Sequence, residues 1–290
     1  MKVAFVGLGN MGSAIANCIL NAGFDVTVFN RTRAKMDPFI AKGAKGGTDV
    51  ADAVKDADVV VTSLMDDKSV LEHVGIFAGA MKAGAIHVCV TTVSPECSDE
   101  AARRHAEAGS FYVAGPVVGR PDAAAAGALL SFLAGPTAAV ETVEPVCKAY
   151  SKKVIRVSER ASAANILKLC VNYTVISVIE TFSEVYAFAD KAGANLDALR
   201  DFLEEAMAHP ALKLYARKLR ARDFGGRGGF TMTGGNKDVS LMLKASGEVG
   251  VDFAIGKIAK RKMETAIAAG MGEQDWSSIY EITRKESGLD

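Results

Sequence analysis

The sequence predicts an α/β Rossmann domain followed by a long interdomain helix and an all-α C-terminal domain. Three observations carry this. A strand, Lys2–Val6, opens the chain and runs straight into Gly7-Leu8-Gly9-Asn10-Met11-Gly12. Strand and helix candidates then alternate as far as Ser158. From Ala161 to Ala192 there is neither proline nor glycine, and beyond Gly193 the signals are helical only. The divisions that follow are 1–158 for the dinucleotide domain, 159–192 for the interdomain helix and 193–290 for the helical domain.

The opening turn has the order a dinucleotide site needs. Gly7 allows a tight turn, Gly9 lets the backbone approach a pyrophosphate, and Gly12 lets the following helix pack close to the strand. A helix-period segment, Ser13–Leu20, follows and is closed by Asn21-Ala22-Gly23. Its N-terminus offers free N–H groups and a partial positive charge to phosphates. The other reading is a glycine turn that only packs a βαβ unit.

The second strand, Asp25–Phe29, ends at Asn30-Arg31-Thr32-Arg33. An NAD site usually carries Asp or Glu about 20 residues past the glycines, to hold the ribose 2′-hydroxyl. Here a neutral Asn30 stands there, with Arg31 and Arg33 flanking Thr32. Guanidinium groups pair with a 2′-phosphate that a carboxylate would repel. The expected cofactor is therefore NADP(H) rather than NAD(H), the alternative being a solvated basic turn.

Further strands are expected at Asp58–Leu64, Ile86–Val90, Phe111–Ala114, Leu129–Ala134 and Val154–Val157, with Leu129–Ala134 read as an antiparallel edge hairpin. Ser94-Pro95 is a helix start, a capping hydroxyl before proline in the first turn, and Gly109 stops that helix. Pro136 opens another, Thr137–Tyr150. Repeated βαβ order means a mostly parallel sheet with helices on both faces. The segment Ala161–Ala192 is apolar on almost every face, as a helix buried on all sides must be. It would be about 45 Å long. Helices are expected at Leu196–Ala208, Ala211–Ala221, Lys237–Gly247 and Ile255–Ala269, with Gly225–Gly235 as the one long loop.

Composition narrows the function. The chain has 290 residues, 49% hydrophobic and 23% charged, too many for one comfortable core. Its 34 basic and 34 acidic side chains cancel, which argues against nucleic acid or an anionic membrane as a partner. No apolar run is expected to reach the length of a membrane span, and a strand at the very start leaves no room for a signal peptide. Cys18, Cys89, Cys97, Cys147 and Cys170 are odd in number and lack CxxC spacing, which fits reduced thiols in a cytoplasmic protein. His73, His87, His105 and His209 lack metal-ligand spacing, so no metal is expected.

The chemistry is expected on the long helix. Lys168 and Asn172 lie four apart and share a face. Burying both without partners would cost several kcal/mol. A lysine desolvated in a pocket has its pKa lowered and can hand a proton to a carbonyl oxygen while hydride reaches the carbon. The same spacing also suits a lysine snorkelling from a helix edge.

Taken together, these segments resemble the β-hydroxyacid dehydrogenase family, which includes 3-hydroxyisobutyrate dehydrogenase, tartronate semialdehyde reductase and glyoxylate/succinic semialdehyde reductases. Gly7-Leu8-Gly9-Asn10-Met11-Gly12 is similar to the family's G-L-G-x-M-G, and Asn30-Arg31-Thr32 to the N-R-[ST] of its NADPH-using members. Ser63-Leu64-Met65 and Thr91-Thr92 fall where the family walls the cofactor ribose and nicotinamide. Asn165-Ile166-Leu167-Lys168 through Asn172 resembles its catalytic helix. The resemblance implies Lys168 as proton donor and Asn172 as its companion. It implies that Lys237 and Asp238 close the site from the C-terminal domain, Lys237 toward the cofactor and Asp238 toward the substrate. It further implies a small-molecule substrate and assembly as a homodimer or homotetramer.

Two departures stand out. The family's D-x-P-V-S-G-G is Ala114-Gly115-Pro116-Val117-Val118-Gly119-Arg120 here, so Val118 replaces the serine that would bind a substrate carboxylate. Arg120 could be a replacement clamp, Val118 could mark an apolar carbonyl or imine substrate, or Arg120 could face solvent. Ser162 and Ala164 also stand where the family has glycines before the lysine. Val118, Gly119 and Arg120 are the candidate substrate contacts. The leading expectation is an NADPH-dependent reductase of a small aldehyde, keto acid or related compound. The alternatives are imine reduction, whose enzymes share this architecture but usually carry Asp or Tyr in place of the lysine, and a non-catalytic nucleotide-binding protein.

Overall fold

A computed structural model describes residues 1–206, 210–225 and 230–289. The chain divides into two compact units, Met1–Lys168 and Leu169–Asp290.

The first unit is built on a nine-stranded sheet: β1 (Lys2–Val6), β2 (Asp25–Phe29), β3 (Lys45–Gly46), β4 (Val59–Thr62), β5 (Ile86–Cys89), β6 (Phe111–Ala114), β7 (Val117–Val118), β8 (Leu129–Ala134) and β9 (Ser151–Ser158). Strands β3-β2-β1-β4-β5-β6 run parallel in that order, the doubly wound arrangement whose ligands lie beyond the carboxyl ends of the strands. The central strands β4 and β5 are buried on both faces, because helices cover each side, whereas β3 at the end of the parallel run is exposed. The core gathers Phe5, Ile15, Val28, Val61, Val88 and Leu133.

Strand β8 is antiparallel to β6 and β7, as expected, but it is not an edge. Strand β9 runs parallel along its other side for eight residues, longer than the Val154–Val157 read from the sequence. The adjacent exposed Lys152 and Lys153 hid the first half of the strand, and with Arg156 they are the charges an edge strand needs against pairing with another chain. The two-residue strands β3 and β7 are too short to leave a period.

Beyond the sheet, Ser162–Lys191 is a single helix of 30 residues. Contrary to expectation, it is long and apolar enough to cross a membrane by length and composition, with a mean hydropathy of 1.4 over its most apolar window. Its apolar residues are instead spent on a protein core. Ile176, Ile179, Phe182 and Tyr186 are buried in the second unit with Leu203, Met242, Met263 and Trp276. The other helices there are Leu196–Ala206, Pro210–Ala221, Met232–Glu248, Ala254–Ala268 and Ile279–Glu286. Inside them Lys262 is ion-paired with Glu180 and donates to Thr283 Oγ1 at 3.1 Å. The pair tolerates burial through that contact and the Thr283 bond, although Glu180 Oε2 is buried without a hydrogen-bond partner.

The glycine-rich loop expected at 225–235 is shorter than that. Residues 226–229 lie outside the described residues, as does His209, but Thr231 already caps a helix that begins at Met232, accepting from Gly234 N at 3.1 Å. Gly235 is helical because of packing. A Cβ there would lie 2.8 Å from the Trp276 ring. A small residue is required at that spot, and the sequence signal looks the same as one for a flexible turn.

Candidate active site

The glycine turn is built by close backbone approach. Gly7 has φ +98, and a Cβ on it would lie 2.2 Å from the Ser63 carbonyl oxygen. A Cβ on Gly12 would lie 2.0 Å from the Gly7 carbonyl oxygen. Both glycines are therefore sterically required where β1, β4 and the helix Asn10–Asn21 meet. Gly9 differs: a Cβ there meets nothing within 4 Å. Gly9 is the helix N-cap and supplies no side-chain cap, so the N–H groups of the first turn, at Asn10 and Met11, are left for a ligand. Open space above an uncapped helix N-terminus is what a pyrophosphate fits.

Neighbouring strand ends are tied to this turn one by one. Leu8 is buried, and its N–H donates to Asn30 Oδ1 at 2.9 Å. Asn30 Nδ2 donates onward to the Thr32 carbonyl at 3.1 Å. Both ends of the Asn30 amide therefore shape the loop. Arg31, Thr32 and Arg33 are exposed, and neither arginine has an ion-pair partner among the described residues. Two uncompensated guanidinium groups beside a hydroxyl fit a phosphate monoester.

At the end of β4, Leu64 N donates to Thr91 Oγ1 at 2.8 Å, which joins Ser63-Leu64-Met65 to the loop after β5. Met65 is 78% exposed, a large apolar side chain left in the open at the cofactor end of the sheet. Asp66 caps the next helix through a reciprocal box with Ser69. Thr92 is half-buried beside Thr91.

The Val118–Arg120 segment stands apart from these ties. Val118 is half-buried in β7, opposite Leu130. Gly119 has φ +138, and a Cβ there would lie 2.5 Å from the Leu129 side chain. Arg120 is the N-cap of Pro121–Ala125, a helix whose Ala124 carbonyl accepts the Cys18 thiol at 3.2 Å.

Lys168 is half-buried near the start of the long helix. That start is anchored within the first unit. Asp99 Oδ1 accepts from Ser162 N at 3.2 Å, and Asp99 Oδ2 from Arg160. Asn165 bonds both Val93 N and Ser98 Oγ. Ser162 Oγ is buried with no hydrogen-bond partner, and Ala164 is fully buried, which marks these two positions as places suited to residues without polar side chains. The sequence motif assigns Asn165 no role; its i, i+3 spacing from Lys168 on an apolar helix is the signal that marks it.

One turn after Lys168, Asn172 is buried and its Nδ2 donates to Asp238 Oδ2 at 2.5 Å. Lys237 Nζ lies 2.8 Å from Asp238 Oδ1. A carboxylate only accepts, so Asp238 fixes which way the Asn172 amide points and leaves Asn172 Oδ1 directed elsewhere. Asp238 is 1% exposed; Oδ2 accepts from Asn172, while Oδ1 is ion-paired with Lys237 but buried without a hydrogen bond.

All five cysteines are free. Among the described residues no three His, Cys, Asp or Glu side chains gather as metal ligands.

A parallel doubly wound sheet, an open uncapped glycine turn and a lysine-bearing helix define an NAD(P)-binding oxidoreductase of the Rossmann type. Residues 2–158 match the NAD binding domain of 6-phosphogluconate dehydrogenase, and residues 162–283 match the NAD-binding region of NADP-dependent 3-hydroxyisobutyrate dehydrogenase. The chain belongs to the β-hydroxyacid dehydrogenase family, whose members act as dehydrogenases and reductases. It is 35% identical to an uncharacterized oxidoreductase of Bacillus subtilis over 98% of this chain and 100% of that one. It is 29% identical to glyoxylate/succinic semialdehyde reductase 1 of Arabidopsis thaliana over 98% of this chain and 99% of that one. Among solved structures, 3-hydroxyisobutyrate dehydrogenase of Mycobacterium tuberculosis with L-serine superposes with a TM-score of 0.88 at 24% identity, covering 98% of this chain and 99% of that chain. Imine reductases share the fold as well.

Proposed function

We propose that this protein is an NADPH-dependent reductase of a small aldehyde or keto acid, with Lys168 as proton donor. The observation that carries the cofactor choice is the pair Arg31 and Arg33, exposed and without ion-pair partners among the described residues beside Thr32, where an acidic residue would select NADH. Gly7, Gly9 and Gly12 seat the pyrophosphate, with the N–H groups at Asn10 and Met11 facing it. Leu8 and Asn30 hold the turn in shape. Ser63, Leu64, Met65 and Thr92 wall the ribose and nicotinamide. A dinucleotide held by these residues would supply hydride to the carbonyl carbon. Lys168 Nζ delivers the proton to the carbonyl oxygen and is reprotonated from solvent, giving the alcohol. Asn172, held by Asp238 and Lys237, orients the lysine or the substrate. Gly119 and Arg120 contact the substrate, with Arg120 as the carboxylate clamp in place of the missing serine. Glyoxylate and succinic semialdehyde are the first substrates to try, since the plant relative's name gives them.

A balanced formal charge accords with a soluble cytoplasmic enzyme that binds neither nucleic acid nor membrane. Phe188 and Phe202, 77% and 65% exposed on the helical unit, favour assembly as a homodimer or homotetramer, which sedimentation reads directly.

One observation favours a second reading, reduction of imines: the apolar Val118 stands where a serine hydroxyl would bind a carboxylate. A panel of aldehydes, keto acids and cyclic imines with NADPH and NADH tests both. Turnover of imines alone overturns the carbonyl reading, and equal use of the two cofactors overturns the NADPH preference.

A further inference from the structure

Asn165 is 1% exposed on an otherwise apolar stretch of helix, and its side-chain amide is committed at both ends. Oδ1 accepts the Val93 N–H at 3.3 Å, and Nδ2 donates to Ser98 Oγ at 3.1 Å. Val93 directly follows Thr91-Thr92 beyond the carboxyl end of β5. Ser98 lies in the helix Pro95–Glu107, whose own first turn is capped by Ser94 accepting from Cys97 N. One amide therefore joins three pieces: the loop after β5, the helix that follows it, and the helix that bears Lys168.

The placement is specific. Asn165 sits three residues before Lys168, so the two side chains leave neighbouring parts of one helix surface. Asp99 already fixes where this helix begins, through Ser162 N and Arg160. A second, sideways tie fixes how the helix is turned about its axis. An apolar residue would fill the same space without the cost of burying an amide, but it could not be directional. Tight placement matters most for a group that transfers a proton, because a misplacement of about 1 Å costs on the order of 10²-fold in rate.

We propose that Asn165 is a positioning residue that sets the placement of the Lys168 ammonium against the Thr91-Thr92 loop without touching substrate or cofactor, a role that rests on the reading of Lys168 as proton donor. Asn165→Leu removes both bonds at similar volume. Asn165→Asp keeps them in altered form, since a carboxylate accepts from Val93 N–H and from the Ser98 hydroxyl.

Steady-state kinetics and hydrogen exchange on the full chain test this. Asn165→Leu is expected to lower kcat about 30-fold while the KM for NADPH stays within about 3-fold, because the glycine turn and Arg31 are untouched. Asn165→Asp is expected to recover most of that loss. Ser98→Ala should lower kcat in the parent but add nothing in Asn165→Leu, the mark of a shared interaction. A variant that melts earlier yet keeps its kcat would reduce Asn165 to packing and overturn the proposal. Lys168→Ala is measured in parallel: if it turns over like the parent, the proton-donor reading falls and this role falls with it. The tie itself has a readout apart from activity. Protection of the Val93 amide should be lost in Asn165→Leu and kept in Asn165→Asp, and unchanged protection in the leucine variant would contradict the tie even in an active enzyme.

Discussion

Asn30 Oδ1 accepts the backbone N–H of Leu8 at 2.9 Å, across 22 residues of sequence. The end of β2 is thereby pinned to the glycine turn after β1, which the proposed function reads as the ribose and phosphate ends of one cofactor seat. Asn30→Leu leaves the Leu8 N–H without its acceptor, which costs about 1–3 kcal/mol. Urea unfolding should show that loss, and the affinities for NADPH and NADH should fall by similar factors. A fall for NADPH alone would mean that Asn30 reads the 2′-phosphate itself.

Arg31→Ala should behave in the opposite way. Losing a charge-assisted contact worth about 1.5–3 kcal/mol weakens NADPH binding about 10- to 100-fold. NADH binding should stay within about 2-fold, since the deletion touches only the 2′-phosphate. Fluorescence titration of both nucleotides measures the pair. Equal losses would place Arg31 in the general structure of the loop.

Gly12 and Gly9 of the turn should separate by what surrounds them. Gly12→Ala puts a methyl 2.0 Å from the Gly7 carbonyl oxygen, so the β1–helix junction must open, and both stability and cofactor affinity should drop. Gly9→Ala meets no protein atom within 4 Å and should melt within a few degrees of the parent while losing cofactor affinity. A Gly9→Ala protein that binds NADPH as the parent does would mean that the open space is not the phosphate seat.

The parts legible in the sequence were those with a local cause. The parallel strands showed as short apolar runs, the glycine turn as a strand–glycine–helix order, and the lysine helix as a stretch without proline or glycine. Ser94 and Gly109 marked the ends of one helix because caps and stops act within a few residues. What stayed hidden depends on partners far away in sequence. The charges at Lys152 and Lys153 masked the first half of β9, whose full length follows from its pairing with β8. Gly235 read as loop because nothing local tells of Trp276 against it. Asn30 read as a cofactor contact, and its bond to Leu8, which spans two strands, left no mark in the sequence. His87 and His105, separate in sequence, meet in the core.

Those histidines give a pH prediction. Thr62 Oγ1, His87, His105 and Ser110 form one buried hydrogen-bonded chain, with His87 Nδ1 3.0 Å from His105 Nε2. The Ser110 hydroxyl donates to the His105 carbonyl, so it must accept from His105 Nδ1–H. That makes His105 Nε2 the acceptor for His87 Nδ1–H, and His87 Nε2 the acceptor for Thr62. Both rings are thus neutral. Burial holds His105 down at about 4, and burial together with the neighbouring His105 holds His87 well below the ordinary imidazole value. Unfolded, each titrates near about 6.5. The unfolded chain therefore binds more protons between those values, and stability must fall as pH drops from about 6.5 toward 4. At pH 5, His105 alone removes about 2 kcal/mol relative to pH 7.5. Urea midpoints at the two pH values measure this, and His105→Gln should lessen the drop. An equal drop in parent and variant would assign it to other groups.

The most direct measurement is NADPH oxidation by the parent and by Lys168→Ala on the aldehyde and keto acid panel, with NADPH affinity measured on the same samples. Loss of one proton donor should lower kcat by about 10²- to 10⁴-fold, with NADPH binding within a few-fold of the parent. Turnover by Lys168→Ala at the parent rate would contradict the assignment of Lys168 as the group that protonates the substrate oxygen.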